Sequence, residues 1–248
     1  MVDGDSPPIT IILPCYNEAE RILPTLIEIE EFIKERAWFH IKTVIVVDDG
    51  SRDATVERAM SRSTRLPLRV ERLVKNTGKW AAIRRGIEIA DTDAVLILDA
   101  DGSASIYELD GNRIDQSMEL RRAVFGTRFD RKSKVEGKSG FRAFISWGYR
   151  VYVHFWYFFA TGRYGPQDFQ CPWKLIYKSR LKSLPVVDRF SGDIDLACRI
   201  RGPIISMPVH FIHKGGSKVK TATIWDMAVE TAKVGWNNRF RKTDSRGQ

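Results

Sequence analysis

The chain of 248 residues has few cysteines and no long apolar run, and both absences restrict what it can be. Its three cysteines, Cys15, Cys171 and Cys198, form no Cys-x-x-Cys pair, which argues against a disulfide framework or a zinc site and fits a reducing cytosol. No basic run precedes an apolar segment at the N-terminus, so we predict no secretory signal. The apolar stretch 151–162 is far below the roughly 20 residues that a transmembrane helix needs, so we expect no spanning segment.

Two common phosphate-binding signatures are also missing. The loop after the first predicted strand reads PCYNE at 14–18, where a dinucleotide-binding protein would have Gly-x-Gly-x-x-Gly. The Gly78-Lys79 pair is followed by Trp80 and lacks the spacing of a P-loop. Any phosphate that this chain binds must therefore be held in another way.

Charge is divided unevenly along the chain. Residues 1–120 contain 15 Lys and Arg and 22 Asp and Glu, which gives this part a charge of −7. The remaining residues contain 25 Lys and Arg and 9 Asp and Glu, which gives +16, so the net charge of the chain is +9. A basic half is typical of proteins that bind nucleic acid, an anionic membrane surface or a phosphorylated substrate. Hydrophobic residues at 43% and charged residues at 29% predict an ordinary folded chain.

Alternating β-branched runs and amphipathic stretches in the first 126 residues predict a parallel α/β sheet. No repeat or Gly/Ser-rich linker divides the chain, so we predict one domain over 9–240, between a flexible tail at 1–8 and a tail at 241–248. The predicted strands are 9–13, 43–47, 68–73, 94–98, 123–126, 173–177 and 204–211. The predicted helices are 20–36, 54–65, 79–90, 141–160, 193–200 and 223–240.

Carboxylates follow three of the predicted strands. They are Glu18 after the first strand, Asp48 and Asp49 after the second, and Asp99 and Asp101 after the fourth. Ligands of open parallel sheets bind beyond the carboxyl ends of the strands, where these side chains would repel one another unless a cation or ligand compensated them. Because hard oxygen ligands suit Mg²⁺ or Mn²⁺, a divalent cation that binds Asp99, Asp101 and a diphosphate resolves the repulsion.

These residues resemble the inverting nucleotide-sugar glycosyltransferases of family 2, whose GT-A fold is a Rossmann-like nucleotide-diphospho-sugar transferase fold. The motifs that carry the resemblance are PCYNE at 14–18, VVDDGS at 46–51, KNTGK at 75–79 and DADG at 99–102. Further segments are similar to the members that load a sugar onto dolichyl or another polyprenyl phosphate: GTR at 126–128, FR at 141–142, QCPWKL at 170–175, GDIDL at 192–196 and GSK at 216–218.

The resemblance implies a mixed, mostly parallel sheet flanked by helices, with a nucleotide-sugar half at 9–126 and an acceptor half at 127–240. The form of the 75–79 loop favours UDP-glucose over GDP-mannose as the donor. The residues implied for nucleotide-sugar binding are Pro14, Tyr16, Asn17, Glu18, Asp49, Lys75, Gly78, Lys79, Asp99 and Ala100.

The metal ligands implied by the resemblance are Asp99 and Asp101, with Mg²⁺ or Mn²⁺ as the ion. Relatives that use mannose often carry Leu-Gln after the Asp-x-Asp motif, whereas this chain has Gly102 and Ser103. A third protein ligand is therefore open, with Ser103 and His213 as the candidates.

On the acceptor side, the resemblance implies a lipid phosphate held by Arg128, Arg142, Gln170 and Lys218. It also assigns catalytic roles to Asp193, Arg128 and Arg142. A polyprenyl phosphate is already ionised, so it can attack the anomeric carbon without a strong general base, and the protein has to supply positioning and charge control. With a hydroxyl acceptor, Asp193 or Asp195 would instead be the general base.

The stretch 141–160 contains 10 aromatic residues out of 20. Aromatic rings beside arginines are typical of a membrane interface, although they would also fill a core. We therefore expect an interfacial aromatic helix and peripheral attachment at the cytoplasmic face of a membrane.

The expected function is transfer of a hexose, glucose from UDP-glucose, to dolichyl or another polyprenyl phosphate. The alternatives are a polyprenyl-phosphate mannosyltransferase that uses GDP-mannose and a family 2 enzyme that acts on a saccharide hydroxyl. A nucleic-acid-binding module is a remote alternative, because it leaves the acidic strand ends unexplained, and we expect no nucleic-acid partner.

Overall fold

The computed structural model describes residues 6–110, 112–136, 140–212 and 221–240. Within these ranges nine strands form two sheets. The strands are β1 (Ile9–Cys15), β2 (Ile41–Asp48), β3 (Leu68–Arg72), β4 (Ala94–Ile97), β5 (Val124–Thr127), β6 (Lys134–Glu136), β7 (Lys174–Tyr177), β8 (Ile205–Pro208) and β9 (His210–Ile212). Seven of them form the main sheet in the order β3-β2-β1-β4-β7-β5-β8, and β6 pairs with β9.

Helices cover both faces of the main sheet. They are α1 (Ile22–Glu35), α2 (Thr55–Met60), α3 (Lys79–Ile89), α4 (Asn112–Leu120), α5 (Gly140–Thr161), α6 (Gly192–Arg199) and α7 (Thr221–Phe240), with short 3₁₀ turns at Ile106–Asp110 and Lys178–Arg180. Apolar residues of α1 and α2 share one buried cluster with the sheet, and those of α3, α5, α6 and α7 share a second cluster on the opposite face.

The central strands are buried along their whole length. Every residue of β1 is buried, which agrees with its unbroken apolar sequence, since strands of a parallel sheet are covered on both faces. Ile12 of β1 pairs with Ile45 of β2 and with Ile97 of β4, so the three strands run in register. Their carboxyl ends consequently meet at one edge, as the sequence predicts.

One strand of the main sheet runs against the others. β7 lies between β4 and β5 and pairs antiparallel with both, so Leu175 faces Leu96 on one side and Val124 on the other. The remaining neighbours in the main sheet pair in parallel. The predicted fold class, a mixed and mostly parallel sheet flanked by helices, is therefore confirmed.

The predicted elements differ from the observed ones mainly after residue 100. The strand predicted at 204–211 is two strands, because the chain leaves the main sheet after Pro208, a residue without a backbone donor, and joins β6 through β9. The helix predicted at 54–65 ends at Met60. The sequence pattern does not predict α4 and β6, because both are short and largely polar.

The structure also shows the state of the three cysteines and the character of the described helices. Cys15, Cys171 and Cys198 are buried as free thiols, and burial raises the pKa of Cys171 and of Cys198 to about 12. None of the helices in the described ranges combines the length and the apolarity that crossing a bilayer requires.

Candidate active site

A cavity of about 570 Å³ opens at the carboxyl ends of β1, β2 and β4. We call it the carboxyl-end pocket. Eleven of the residues singled out from the sequence line it: Pro14, Tyr16, Glu18, Asp49, Gly78, Lys79, Asp99, Ala100, Asp101, Gln170 and Asp193. The other lining residues are not among the site residues predicted from the sequence: Cys15, Asn76, Trp80, Ala82, Arg189, Phe190 and Met227.

Some of the predicted site residues do not line this pocket. The Asn17 backbone N–H donates to Ser51 Oγ (2.9 Å) and its Oδ1 accepts from the Arg52 N–H (2.9 Å), so Asn17 joins the loops after β1 and β2. Lys75 is exposed on the loop before α3. The side chain of Arg142 and the whole of Lys218 lie outside the described residues, as does His213.

Asp49 organises the loop at 75–79. Its Oδ1 accepts from the Thr77 N–H (2.8 Å), and its Oδ2 accepts from Asn76 Nδ2 (2.9 Å) and the Gly78 N–H (2.8 Å). Gly78 has φ +129°, and a Cβ there would overlap the carbonyl oxygen of Asp188. Asp49 therefore shapes the pocket wall through three hydrogen bonds to the loop.

Lys79 holds the positive charge that faces the carboxylates of the pocket. Its Nζ lies 2.5 Å from Asp99 Oδ1. Loss of water around the Lys79 ammonium in the pocket lowers its pKa, but the negative charges of Asp99, Asp193 and Asp101 outweigh this, so the pKa lies above its ordinary value. Lys79 thus compensates a group of carboxylates that would otherwise repel one another.

The pocket offers two carboxylates to a metal ion. Asp99 and Asp101 both line it, and Asp101 Oδ1 accepts from the Ser103 N–H (2.9 Å). Within the described ranges, no group of three or more His, Cys, Asp or Glu side chains could hold a metal. Mg²⁺ is commonly bound by one or two carboxylates together with substrate phosphates and water, so this pair fits an ion that shares its ligands with a diphosphate.

The carboxylate of Asp193 is bound on both of its oxygens. Lys174 Nζ lies 2.6 Å from Oδ1, and Trp80 Nε1 donates to Oδ2 (3.3 Å). The neighbouring carboxylate, Asp195, is 1% exposed and forms an ion pair with Arg199 (2.9 Å). Of the two candidate bases, Asp193 lines the pocket, whereas Asp195 belongs to a buried structural pair.

Arg128 lines a narrow cleft of about 10 Å³ that shares Gln170 with the carboxyl-end pocket. Its Nε and Nη2 donate to the buried Asp168 at 2.7 and 3.0 Å. Burial disfavours the charged form of both side chains. The attraction between the two charges outweighs the effect of burial, so the pKa of Asp168 is lowered and that of Arg128 is raised. No sequence motif signals Asp168, which is 40 positions from its partner.

A second arginine lines the same cleft. The guanidinium of Arg150, on α5, lies 4.6 Å from the centre of the Phe129 ring. Gln170 therefore stands between a pocket rich in carboxylates and a cleft lined by Arg128, Arg150 and Asp168.

The fold is GT-A, that of the nucleotide-diphospho-sugar transferases. A solved structure of glucosyl-3-phosphoglycerate synthase from Mycobacterium tuberculosis, in complex with Mn²⁺, UDP-glucose and phosphoglyceric acid, superposes with a TM-score of 0.67 at 16% identity, covering 98% of this chain and 83% of that one. The family model described as Glycosyl transferase family 2 matches residues 10–155, and the chain belongs to this family.

Two relatives match most of the chain. It is 29% identical over 243 residues to the dolichyl-phosphate beta-glucosyltransferase of Homo sapiens, covering 90% of this chain and 73% of the relative. It is 27% identical over 240 residues to dolichyl-phosphate beta-glucosyltransferase ALG5C of Trichomonas vaginalis, covering 91% and 70%. The dolichol-phosphate mannosyltransferase of Pyrococcus furiosus is 29% identical over 140 residues, covering 56% and 38%.

Proposed function

We propose that this protein is an inverting transferase that moves glucose from UDP-glucose onto dolichyl or another polyprenyl phosphate. The observation that carries the proposal is the adjacency of the two cavities, because Gln170 lines both the carboxylate-rich pocket and the cleft with Arg128 and Arg150. The pocket suits a nucleotide sugar, and the positive charge of Arg150, beside the Arg128–Asp168 pair, would attract an anionic acceptor to its border. Two relatives named for dolichyl-phosphate glucosyl transfer, each matched over about 90% of this chain, support the choice of glucose and of the acceptor.

The chemistry requires one bond to form as another breaks. An oxygen of the acceptor phosphate bonds to the anomeric carbon while that carbon separates from the diphosphate, which leaves with the electron pair. The acceptor is already ionised, so no proton has to be removed from it. The side chains therefore act by positioning: Asp49 fixes the loop at 75–79, and Arg150, which lies beside the Arg128–Asp168 pair, attracts the acceptor phosphate.

A divalent cation, Mg²⁺ or Mn²⁺, held by Asp99 and Asp101 would neutralise charge on the leaving diphosphate. We expect EDTA to abolish transfer and Asp101→Ala to lower kcat/KM by about a hundredfold or more, with the fold retained by circular dichroism. Asp110→Asn, which changes an exposed aspartate paired with Arg36, is the matched control and should leave transfer unchanged. Full activity in EDTA would remove the metal from the proposal.

Transfer of labelled sugar to dolichyl phosphate tests the donor and acceptor together. UDP-glucose and GDP-mannose should be compared at equal concentration, with UDP-glucose expected to give the lipid-linked product. Predominant mannose transfer would favour the alternative suggested by the shorter match to the Pyrococcus furiosus enzyme. No lipid product with either donor would refute the acceptor, and a saccharide acceptor should then be tested, because Asp193 reaches the pocket.

An aromatic surface on α5 and α7 supports docking on a membrane. We call it the aromatic patch: Phe155, Trp156, Phe159, Trp236 and Phe240, whose successive ring centres lie 4.5–6.2 Å apart. Three of its side chains are more than half exposed, and the guanidinium of Arg239 lies 5.9 Å from the Phe159 ring. Exposed rings beside cations are suited to the interface of an anionic bilayer, where a lipid-linked acceptor would be found.

Vesicle sedimentation tests this docking. We expect the protein to bind vesicles that contain anionic lipid, and Trp236→Ala with Phe240→Ala to weaken binding by at least about tenfold, because two exposed rings are removed. Trp38→Ala, a change at an exposed tryptophan between α1 and β2, is the matched control. Equal binding of both variants would contradict docking through the aromatic patch.

A further inference from the structure

The Asp193 carboxylate is held from two separate parts of the fold. Trp80 lies in the first turn of α3 and donates its Nε1–H to Oδ2, and Lys174 begins β7 and places Nζ 2.6 Å from Oδ1. Asp193 itself lies in the first turn of α6 and lines the carboxyl-end pocket. A carboxylate bound on both oxygens by buried side chains has a fixed direction.

Trp80 is fixed by both its backbone and its ring. Its backbone N–H donates to the carbonyl oxygen of Asp188 (2.9 Å), and the residue is 1% exposed. The indole lies against Gly192, where any Cβ would overlap the ring. Because Gly192 has no side chain, the indole can lie against it and donate a hydrogen bond to the next residue, Asp193.

Lys174 is a buried cation that Asp193 compensates. It is 2% exposed, and its ammonium also donates to the carbonyl oxygen of Cys171 and lies 5.3 Å from the centre of the Phe125 ring. A buried ammonium needs an opposite charge, and removing one partner of such a pair leaves the other uncompensated. Lys174 and Asp193 thus hold each other in place.

We propose that Trp80 and Lys174 are positioning residues for glycosyl transfer, which orient the Asp193 carboxylate as a fixed hydrogen-bond acceptor for the sugar in the pocket. The inference rests on the proposed function, because Asp193 must act in transfer for its orientation to matter. Lys79 shares the pocket with Asp193, so the fixed carboxylate borders the charged centre formed by Lys79 and Asp99. In this arrangement Asp193 orients a ligand and does not remove a proton from the acceptor.

Trp80→Phe tests the role of the indole, because phenylalanine keeps a ring against Gly192 but has no N–H. We expect kcat for lipid-phosphate transfer to fall about tenfold, with the donor KM changed by less than about twofold. In an Asp193→Asn background, the same change should have an effect below about twofold, because the oriented carboxylate is already lost. An equal effect in both backgrounds would mean that Trp80 acts only through packing and would overturn its positioning role.

Trp173→Phe is the matched control. Trp173 is fully buried, and its Nε1 has no hydrogen-bond partner among the described residues, so the same substitution removes an N–H that binds nothing. We expect less than about a twofold change in kcat. A tenfold loss in this control as well would attribute the Trp80 result to the loss of an indole in general and overturn the inference.

A spectroscopic measurement separates this inference from the proposed function. In ¹⁵N-labelled protein, the indole N–H resonance of Trp80, identified by its absence from Trp80→Phe, should shift and exchange faster in Asp193→Asn. An unchanged resonance would overturn the hydrogen bond whatever the enzyme transfers. A wild-type protein that gives the resonance shift but transfers no sugar to a lipid phosphate would instead refute the proposed function and the positioning role that rests on it.

Lys174 is tested by removing its charge alone and together with that of Asp193. Lys174→Met should lower the melting temperature, and Lys174→Met with Asp193→Asn should recover most of the loss because the pair becomes neutral. Transfer should not recover in the double variant, since the oriented carboxylate is absent. Equal melting of the single and double variants would show that the two charges are not paired and would overturn the role of Lys174.

Discussion

The ion pair between Arg128 and Asp168 permits a quantitative prediction for Asp168→Asn. The carboxylate accepts four hydrogen bonds: from Arg128 Nε (2.7 Å), Nη2 (3.0 Å) and backbone N–H (3.3 Å), and from the Gln170 N–H (3.1 Å). The side chain of Asp168 is 3% exposed and that of Arg128 is 19% exposed. Removing one partner of a buried pair costs about 3–5 kcal/mol. Because asparagine keeps one acceptor oxygen, we expect the free energy of unfolding to fall by about 3 kcal/mol, at the lower end of that range.

The pH dependence of this loss follows from the lowered pKa of Asp168. A carboxyl group whose pKa is lower in the folded state stabilises the fold above its unfolded pKa, about 3.9, and that contribution disappears as pH falls through the folded pKa. The difference between wild type and Asp168→Asn should therefore be constant from neutral pH to about pH 5 and shrink below about pH 4.

Urea unfolding followed by circular dichroism measures both quantities. The control is Asp110→Asn, because the pair between Asp110 and Arg36 is similarly short (2.8 Å) but has side chains 40% and 28% exposed. We expect this control to lose less than about 1 kcal/mol. A loss below about 1 kcal/mol for Asp168→Asn, or a loss that does not change between pH 7 and pH 3, would refute the reasoning.

Three further changes test the pocket wall. Gly78→Ala should lower the free energy of unfolding, measured in urea, by about 2 kcal/mol, because φ is +129° and a Cβ would overlap Asp188. The control is Gly202→Ala, since Gly202 also has a positive φ but has open space where the Cβ would be. Lys79→Met should lower kcat/KM at least about tenfold in the transfer assay, because Asp99 loses its cation, and Lys79→Arg should retain more activity. Asp49→Asn should raise the donor KM and lower the free energy of unfolding by about 1–3 kcal/mol, because the new amide NH₂ cannot accept hydrogen bonds from the backbone N–H groups of the 75–79 loop. An unchanged KM would contradict the organising role of Asp49.

The first half of the fold could be predicted because its signals are local. Buried parallel strands such as β1 appear as unbroken apolar runs, and α1 and α3 show helical periodicity between them. The carboxylates after those strands then fall at one edge, because strand direction alone fixes where the loops lie. This is why strand direction alone predicts the carboxylates Glu18, Asp49, Asp99 and Asp101 at the pocket, whereas Gly78, Lys79, Gln170 and Asp193 are predicted from the family resemblance.

The rest depends on contacts between distant parts of the chain. Nothing in the sequence around Asp168 signals its pair with Arg128, and Trp80 matters because position 192, far along the chain, has no side chain. The antiparallel direction of β7 is equally hidden, since a strand of four residues, KLIY, carries no signal of its direction in the sheet. Such features follow from the three-dimensional arrangement and have no local pattern.

The place of β7 between β4 and β5 has a consequence for how the protein is made. During synthesis, residues 94–97 emerge long before their second neighbour, because Ile97 pairs with Lys174 and Ala94 with Tyr177. Until then β4 is the edge of an incomplete sheet, with unpaired backbone groups that can recruit other chains. The first 126 residues therefore depend on the later part of the chain to complete their sheet. A nascent chain that stalls before residue 177 should be prone to aggregate, and a fragment cut after Gly126 should not be a stable donor-binding module.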